Sequence, residues 1–122
     1  MILEGDFYTV VNPVMEADKI QAILKINPDH EIFQGHFPGQ PVVPGVCMMQ
    51  IVKELLEKTT GKPVRLHIGH DLKFLSVIDP RINSLVNAEA HYTVHSSGDI
   101  NVTARLFFND ITFFKFKGVF TS

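Results

Sequence analysis

The sequence predicts an α+β fold in which one long, largely buried helix is wrapped by a curved antiparallel β-sheet. Three observations predict it. A single run with helical spacing, residues 44 to 58, is apolar around most of its surface. The remaining patterned stretches alternate with the period of strands. The stretches near the C-terminus are joined by tight turns, which makes them antiparallel neighbours.

The first strand is read at residues 20 to 27, where Ile20, Ala22, Leu24 and Ile26 alternate with Gln21, Ile23, Lys25 and Asn27. Residues 35 to 46 then read Gly-His-Phe-Pro-Gly-Gln-Pro-Val-Val-Pro-Gly-Val, with three glycines, three prolines and one histidine. Prolines fix φ and glycines admit positive φ, so this loop has a specified shape able to hold His36 in place. Imidazole titrates near neutral pH, which suits His36 to act as a base or an acid.

Pro44 is expected at the first helical position, where its missing N–H costs nothing. Val42 and Val43 precede it and offer no capping oxygen, so the amides of Gly45, Val46 and Cys47 lack a local partner. A ligand carbonyl fits that place, and a helix N-terminus beside a histidine suits proton abstraction next to a carbonyl. A rigid turn leading into a buried helix, with His36 merely hydrogen-bonded, would use the same residues.

Within the helix, Val46, Cys47, Met48, Met49, Ile51, Val52, Leu55 and Leu56 cover most of the cylinder, which marks it as buried. Gln50, Lys53, Glu54 and Glu57 form the one polar stripe. From Lys53 to Lys58 the stripe reads as a solvated face. Gln50, nearest the shaped loop, fits a solvated place and a site equally well.

Val64 to Phe74 is strand-like with irregular alternation. From Ile82 the alternation is clean, with Ser84, Val86, Ala88, Ala90, Tyr92 and Val94 on one face. Ser96-Ser97-Gly98-Asp99 turns the chain, and two Phe-rich strands, 100 to 108 and 111 to 120, are joined at Asn109-Asp110.

With 122 residues, 45% of them hydrophobic, the chain is expected to be a single domain, 1–122. A net charge of -2 leaves no basic footprint for nucleic acid. Apolar runs fall short of the roughly 20 residues of a membrane span, and Met1 to Asp6 lack a basic leader, so a cytoplasmic location is expected. Cys47, the single cysteine, excludes an intrachain disulfide and reads as an inert, buried thiol. His91 and His95 would sit about 13 Å apart on a strand, and no Cys/His or metalloprotease spacing occurs, so no metal and no cofactor is expected.

Phe33-Gln34-Gly35-His36-Phe37-Pro38-Gly39-Gln40-Pro41-Val42-Val43-Pro44-Gly45-Val46 resembles the signature of the β-hydroxyacyl-(acyl carrier protein) dehydratases, the FabZ-like branch of the hot-dog superfamily. The likeness is densest over residues 28 to 56. It implies a hot-dog fold working as a homodimer or an assembly of dimers, with the site at the dimer interface. It implies that His36 takes the α-proton of a 3-hydroxyacyl thioester, carried on acyl carrier protein or coenzyme A. The Gly45 amide would hold the thioester carbonyl, and Phe33, Phe37 and Val46 would line the substrate. The apolar helix and the Phe-rich strands would border the acyl chain.

The chain departs from this pattern where the dehydratases carry Glu or Asp, because Gln50 stands there. Gln orients a hydroxyl but cannot donate a carboxylic proton. The family's order, Glu then Gln four residues on, is exchanged here for Gln50 then Glu54, which makes Glu54 a candidate for the missing acid. The family's lead-in to its first strand is replaced by Leu3-Glu4-Gly5-Asp6-Phe7-Tyr8. The basic residues usual after Phe74 are replaced by Leu75 and Ser76, with Lys62, Arg65, Lys73 and Arg81 as candidate substitutes for carrier docking. Three readings follow: a dehydratase, a hot-dog thioesterase in which Gln50 positions water, and a non-catalytic acyl-binding subunit whose partner in a heterodimer supplies the carboxylate.

Overall fold

A computed structural model describes residues 2–35 and 39–122. The elements run β1 (Tyr8–Met15), β2 (Lys19–Ile26), α1 (Ile32–Gly35), α2 (Gly45–Thr60), β3 (Arg65–Phe74), β4 (Leu85–Val94), β5 (Asp99–Phe108) and β6 (Ile111–Thr121). The six strands form one antiparallel sheet in the order β1-β2-β4-β5-β6-β3. The sheet curves around α2, the hot-dog arrangement that the sequence predicts. Among the described residues no helix is long and apolar enough to cross a membrane.

Period-two alternation puts a continuous apolar surface on the concave face. Ile20, Ala22, Leu24 and Ile26 of β2 are buried, as are Val86, Ala88, Ala90 and Tyr92 of β4 and Ile100, Val102, Ala104 and Leu106 of β5. Register aligns Ala22 with Ala88 and Ala90 with Ala104. These small side chains leave depth for Ile51, Val52, Leu55 and Leu56 of α2, which share the same core. Phe114, Phe116 and Phe120 of β6 close the far side.

The turns follow their chemistry. Gly98 takes φ 95 between β4 and β5, and Asn109 takes φ 52 in the two-residue hairpin between β5 and β6. Gly61 ends α2 in the left-handed conformation, its N–H donating to Glu57 O at 2.8 Å.

Strand β1 is absent from the sequence expectation. Its register shifts between Val11 and Val14, where Asn12 sits at φ 49 ahead of Pro13. The bulge breaks the alternation, and most of the strand is exposed, so no apolar period marks it. Irregular alternation in β3 has the same cause, with shifts between Leu66 and Ile68 and between Gly69 and Asp71. β3 is an edge strand with every residue exposed.

The polar stripe of α2 is a correction. Lys53 and Glu57 are only partly exposed and Glu54 is buried, leaving Lys58 as the exposed end. The N-terminal segment lies over Glu54, and the Val64 amide donates to Glu57 Oε2 at 2.9 Å.

Candidate active site

Helix α2 begins one residue later than expected. Pro44 is the cap, with φ -63 and ψ 147, and Gly45 is the first helical residue. The Pro44 carbonyl accepts from Cys47 N at 3.0 Å and Met48 N at 3.2 Å. The Cys47 amide is therefore occupied, contrary to the sequence reading. Those of Gly45 and Val46 have no backbone or capping side-chain partner among the described residues. The approach is fixed by Val43, buried, whose N–H donates to Ile78 O at 2.9 Å.

The ring of Phe74, at the end of β3, lies against Gly45. A β-carbon at position 45 would stand 2.9 Å from Cε1 and Cζ of that ring. Phe74 stacks in turn on Phe114, centroids 5.0 Å apart. Val46 is 66% exposed, and Phe74, Leu75 and Val77 are exposed apolar neighbours in the chain after β3. The helix start thus opens beside apolar surface.

Gln50 and Glu54 face each other one turn apart, the later side chain leaning back toward the helix N-terminus. Gln50 Nε2 donates to Glu54 Oε2 at 2.8 Å. Glu54 also accepts from Leu3 N at 2.8 Å, Glu4 N at 2.8 Å and the Tyr8 hydroxyl at 3.0 Å. Four donors occupy about the four acceptor positions of a carboxylate. Lys58 Nζ meets the Glu4 carboxylate at 2.7 Å and fastens the same segment to the helix. Burial, then the Glu54 charge, pushes the Tyr8 hydroxyl far above its usual range. The buried Cys47 thiol is also pushed up, first by desolvation and second by Glu54.

His36 and Phe37 lie outside the described residues. Gly45, Val46 and Gln50 sit within the first six residues of α2, and Glu54 reaches them through Gln50. Phe33 is buried in α1, its ring 5.4 Å from that of Phe7. His30 packs edge-on to Phe7, accepts from Ile32 N at 3.1 Å and meets Asp6 at 3.1 Å. His70 instead lines a cavity with His91 and Lys117. Among the described residues no cluster of three or more His, Cys, Asp or Glu side chains could hold a metal.

Sequence reasoning missed Tyr8 and the amides of Leu3 and Glu4. The only trace of them was that residues 3 to 8 depart from the family's usual lead-in. That segment and the Gln50–Glu54 pair are one physical unit, since the segment supplies three of the four donors to the Glu54 carboxylate.

The chain is similar to known proteins over most of its length. Residues 12–98 match the family model described as ApeI-like, ApeI dehydratase. A 3-hydroxyacyl-[acyl-carrier-protein] dehydratase FabZ of Novosphingobium aromaticivorans is 30% identical over 74 residues, covering 53% of this chain and 47% of the relative. That of Lactiplantibacillus plantarum is 30% identical over 81 residues, covering 61% and 55%. The chain thus spans about half the length of these curated relatives. Among solved structures, the dehydratase heterocomplex ApeI:P from Xenorhabdus doucetiae superposes with a TM-score of 0.75 at 18% identity, covering 94% of this chain and 98% of that one. With a hot-dog fold, an uncapped helix start and a family match over most of its length, the chain belongs to the ApeI-like dehydratase family.

Proposed function

We propose that this chain binds a 3-hydroxyacyl thioester, on acyl carrier protein or coenzyme A, and takes part in its dehydration to the 2-enoyl thioester. The observation that carries the reading is the start of α2, where the Gly45 and Val46 amides have no partner among the described residues. Two amides at a helix N-terminus stabilise the negative charge that grows on a thioester carbonyl when its α-proton leaves. His36 is the base, Gly45 holds the carbonyl, and Gln50 orients the 3-hydroxyl. Val46, Phe33 and Phe37 border the acyl chain. The α C–H bond breaks to the base, the C–O bond breaks at the β-carbon, and the departing hydroxide needs a proton to leave as water. The chemistry goes with a cytoplasmic location and calls for no cofactor.

One observation favours a second reading, a heteromeric dehydratase. The Gln50 amide donates one hydrogen bond to Glu54 and, being an amide and not a carboxylic acid, releases no proton to the leaving hydroxide. A related chain carrying a carboxylate at the equivalent place would supply it. The exposed edge strand β3, with Leu66, Ile68 and Leu72 uncovered, gives such a chain somewhere to pair.

Pure protein incubated with 3-hydroxyacyl and 2-enoyl thioesters of both carriers tests this. Dehydration, hydration and thiol release are followed separately, for wild type and His36→Ala. Turnover by the chain alone, lost in His36→Ala, supports the dehydratase. Turnover only after mixing with a carboxylate-bearing relative supports the heteromer. His36-dependent thiol release would make it a thioesterase, and failure to bind any acyl thioester would overturn the reading.

A further inference from the structure

We propose that the outer face of the sheet carries a binding site for a phosphate monoester, held by Arg105, Lys115 and Lys117 and separate from the candidate acyl site. Strand register puts Arg105 of β5 opposite Lys115 of β6, and Lys115 opposite Lys73 of β3. Like charges directly opposed across strands repel, so three cations in one row weaken the sheet they stand on. A row of this kind, in a chain whose net charge is -2, marks a place where the local rule yields to a ligand of opposite sign. The surface there is also hollow: Arg105, Lys115 and Lys117 line a concavity of about 310 Å³ together with Thr103, Glu89 and Asp71.

The charges around the concavity pair off unevenly. Glu89 lies 3.5 Å from Arg105 and 3.4 Å from His91, while Asp71, opposite Lys117 in register, lies 3.6 Å from Lys73 instead. Lys115 and Lys117 are exposed and enter no ion pair among the described residues, so their two positive charges stay uncompensated. A phosphate monoester carries about -1.5 to -2 at neutral pH, which matches them. Arg105 is held ready: its Cζ lies 3.8 Å from the centre of the Phe107 ring and its Nε is turned to Glu89, which leaves the two terminal nitrogens to meet phosphate oxygens. The same carboxylates decide the kind of ligand. Glu89 on β4 and Asp71 on β3 stand on either side of β5 and β6, so a broad acidic surface or a nucleic-acid strand laid across the sheet would meet them as well as the lysines. A compact dianion fits between them.

The test is titration of the full chain with inorganic phosphate and with glycerol 3-phosphate at pH 7.5, followed by amide NMR shifts, with sodium chloride holding the ionic strength constant. Wild type should show saturable shifts centred on residues 103 to 105 and 115 to 117. Tighter binding of glycerol 3-phosphate supports a site for an ester, and equal binding supports a site for the phosphate group itself. The double variant Lys115→Gln/Lys117→Gln should weaken both ligands by about tenfold or more. Lys25→Gln removes an exposed lysine of β2 that lies outside the concavity and should leave the affinities within about twofold. Urea unfolding in chloride checks the premise, since relief of the repulsion should raise the midpoint of the double variant. Shifts that do not saturate, shifts spread over all lysine-bearing strands, or equal loss of affinity in Lys25→Gln overturn the proposal. A lowered midpoint in the double variant, showing that the two lysines serve the fold, overturns it as well.

Discussion

Phe74 and Gly45 pack so closely that the ring leaves no room for a β-carbon on the glycine, which would stand 2.9 Å from two ring carbons. The glycine that opens α2 is thus required by a neighbour and not by its own backbone, since it is absent from the residues with positive φ. The last residue of β3 thereby sets how near anything can come to the first residue of the helix.

Gly45→Ala should cost about 1 to 2 kcal/mol of stability, because the Phe74 ring must leave its stack on Phe114 to admit a methyl group. Phe74→Ala should remove that penalty. A double-mutant cycle in urea should show a coupling of about 1 kcal/mol between the two positions, and strict additivity would mean that the ring does not restrain position 45.

Gly118 of β6 is the second glycine fixed by proximity. A β-carbon there would collide with the Ile68 carbonyl oxygen of β3 and with the ring of Phe116. Ile68 follows the first irregularity of β3, between Leu66 and Ile68. A backbone oxygen cannot swing aside as a side chain can. Gly118→Ala should therefore loosen β3 from β6, at a cost of about 3 kcal/mol or more. Amide exchange would read this as lost protection confined to β3 and its β6 partners; uniform loss or no loss would refute it.

What could be read from the sequence depended on whether a pattern was local. Strands β2, β4, β5 and β6 and helix α2 announce themselves because burial on one face imposes a period on the residues of that element alone. β1 does not, since Asn12 and Pro13 interrupt it and solvent covers most of it. Glu54 was legible as a residue out of family order but not as a buried one. Its cover comes from Leu3, Glu4 and Tyr8, and no helical pattern can report what a distant segment lays across a stripe. The amides of Gly45 and Val46 were legible because capping is a local rule, whereas the ring over Gly45 was not.

Cys47 should behave as the inert thiol that the sequence indicates. It is fully buried, and both desolvation and the Glu54 charge raise its pKa, so reactive thiolate is scarce at neutral pH. Iodoacetamide at pH 7.5 should modify it on the order of 10²-fold more slowly in the native protein than in urea, because reaction waits on opening of the core. Comparable rates in the two states would show that the helix start breathes on its own.

Acid should find one defined weak point on the outer face of the sheet. Gln21 Nε2 donates to Glu89 Oε2 at 3.0 Å and Arg105 Nε lies 3.5 Å from Oε1, and the Gln21 hydrogen bond, foremost, holds the carboxyl below its usual range. Folding therefore favours the ionised form. The stabilisation is complete above the unfolded pKa of about 4.3 and is lost as pH falls through the lower, folded value. Because the pair is partly open to water, its worth is about 0.5 to 1 kcal/mol. Urea midpoints measured from pH 6 to pH 2.5 should fall more steeply for wild type than for Glu89→Gln, with the two curves converging at the acid end. Parallel curves would mean that the Gln21 and Arg105 contacts do not favour the ionised carboxylate in solution.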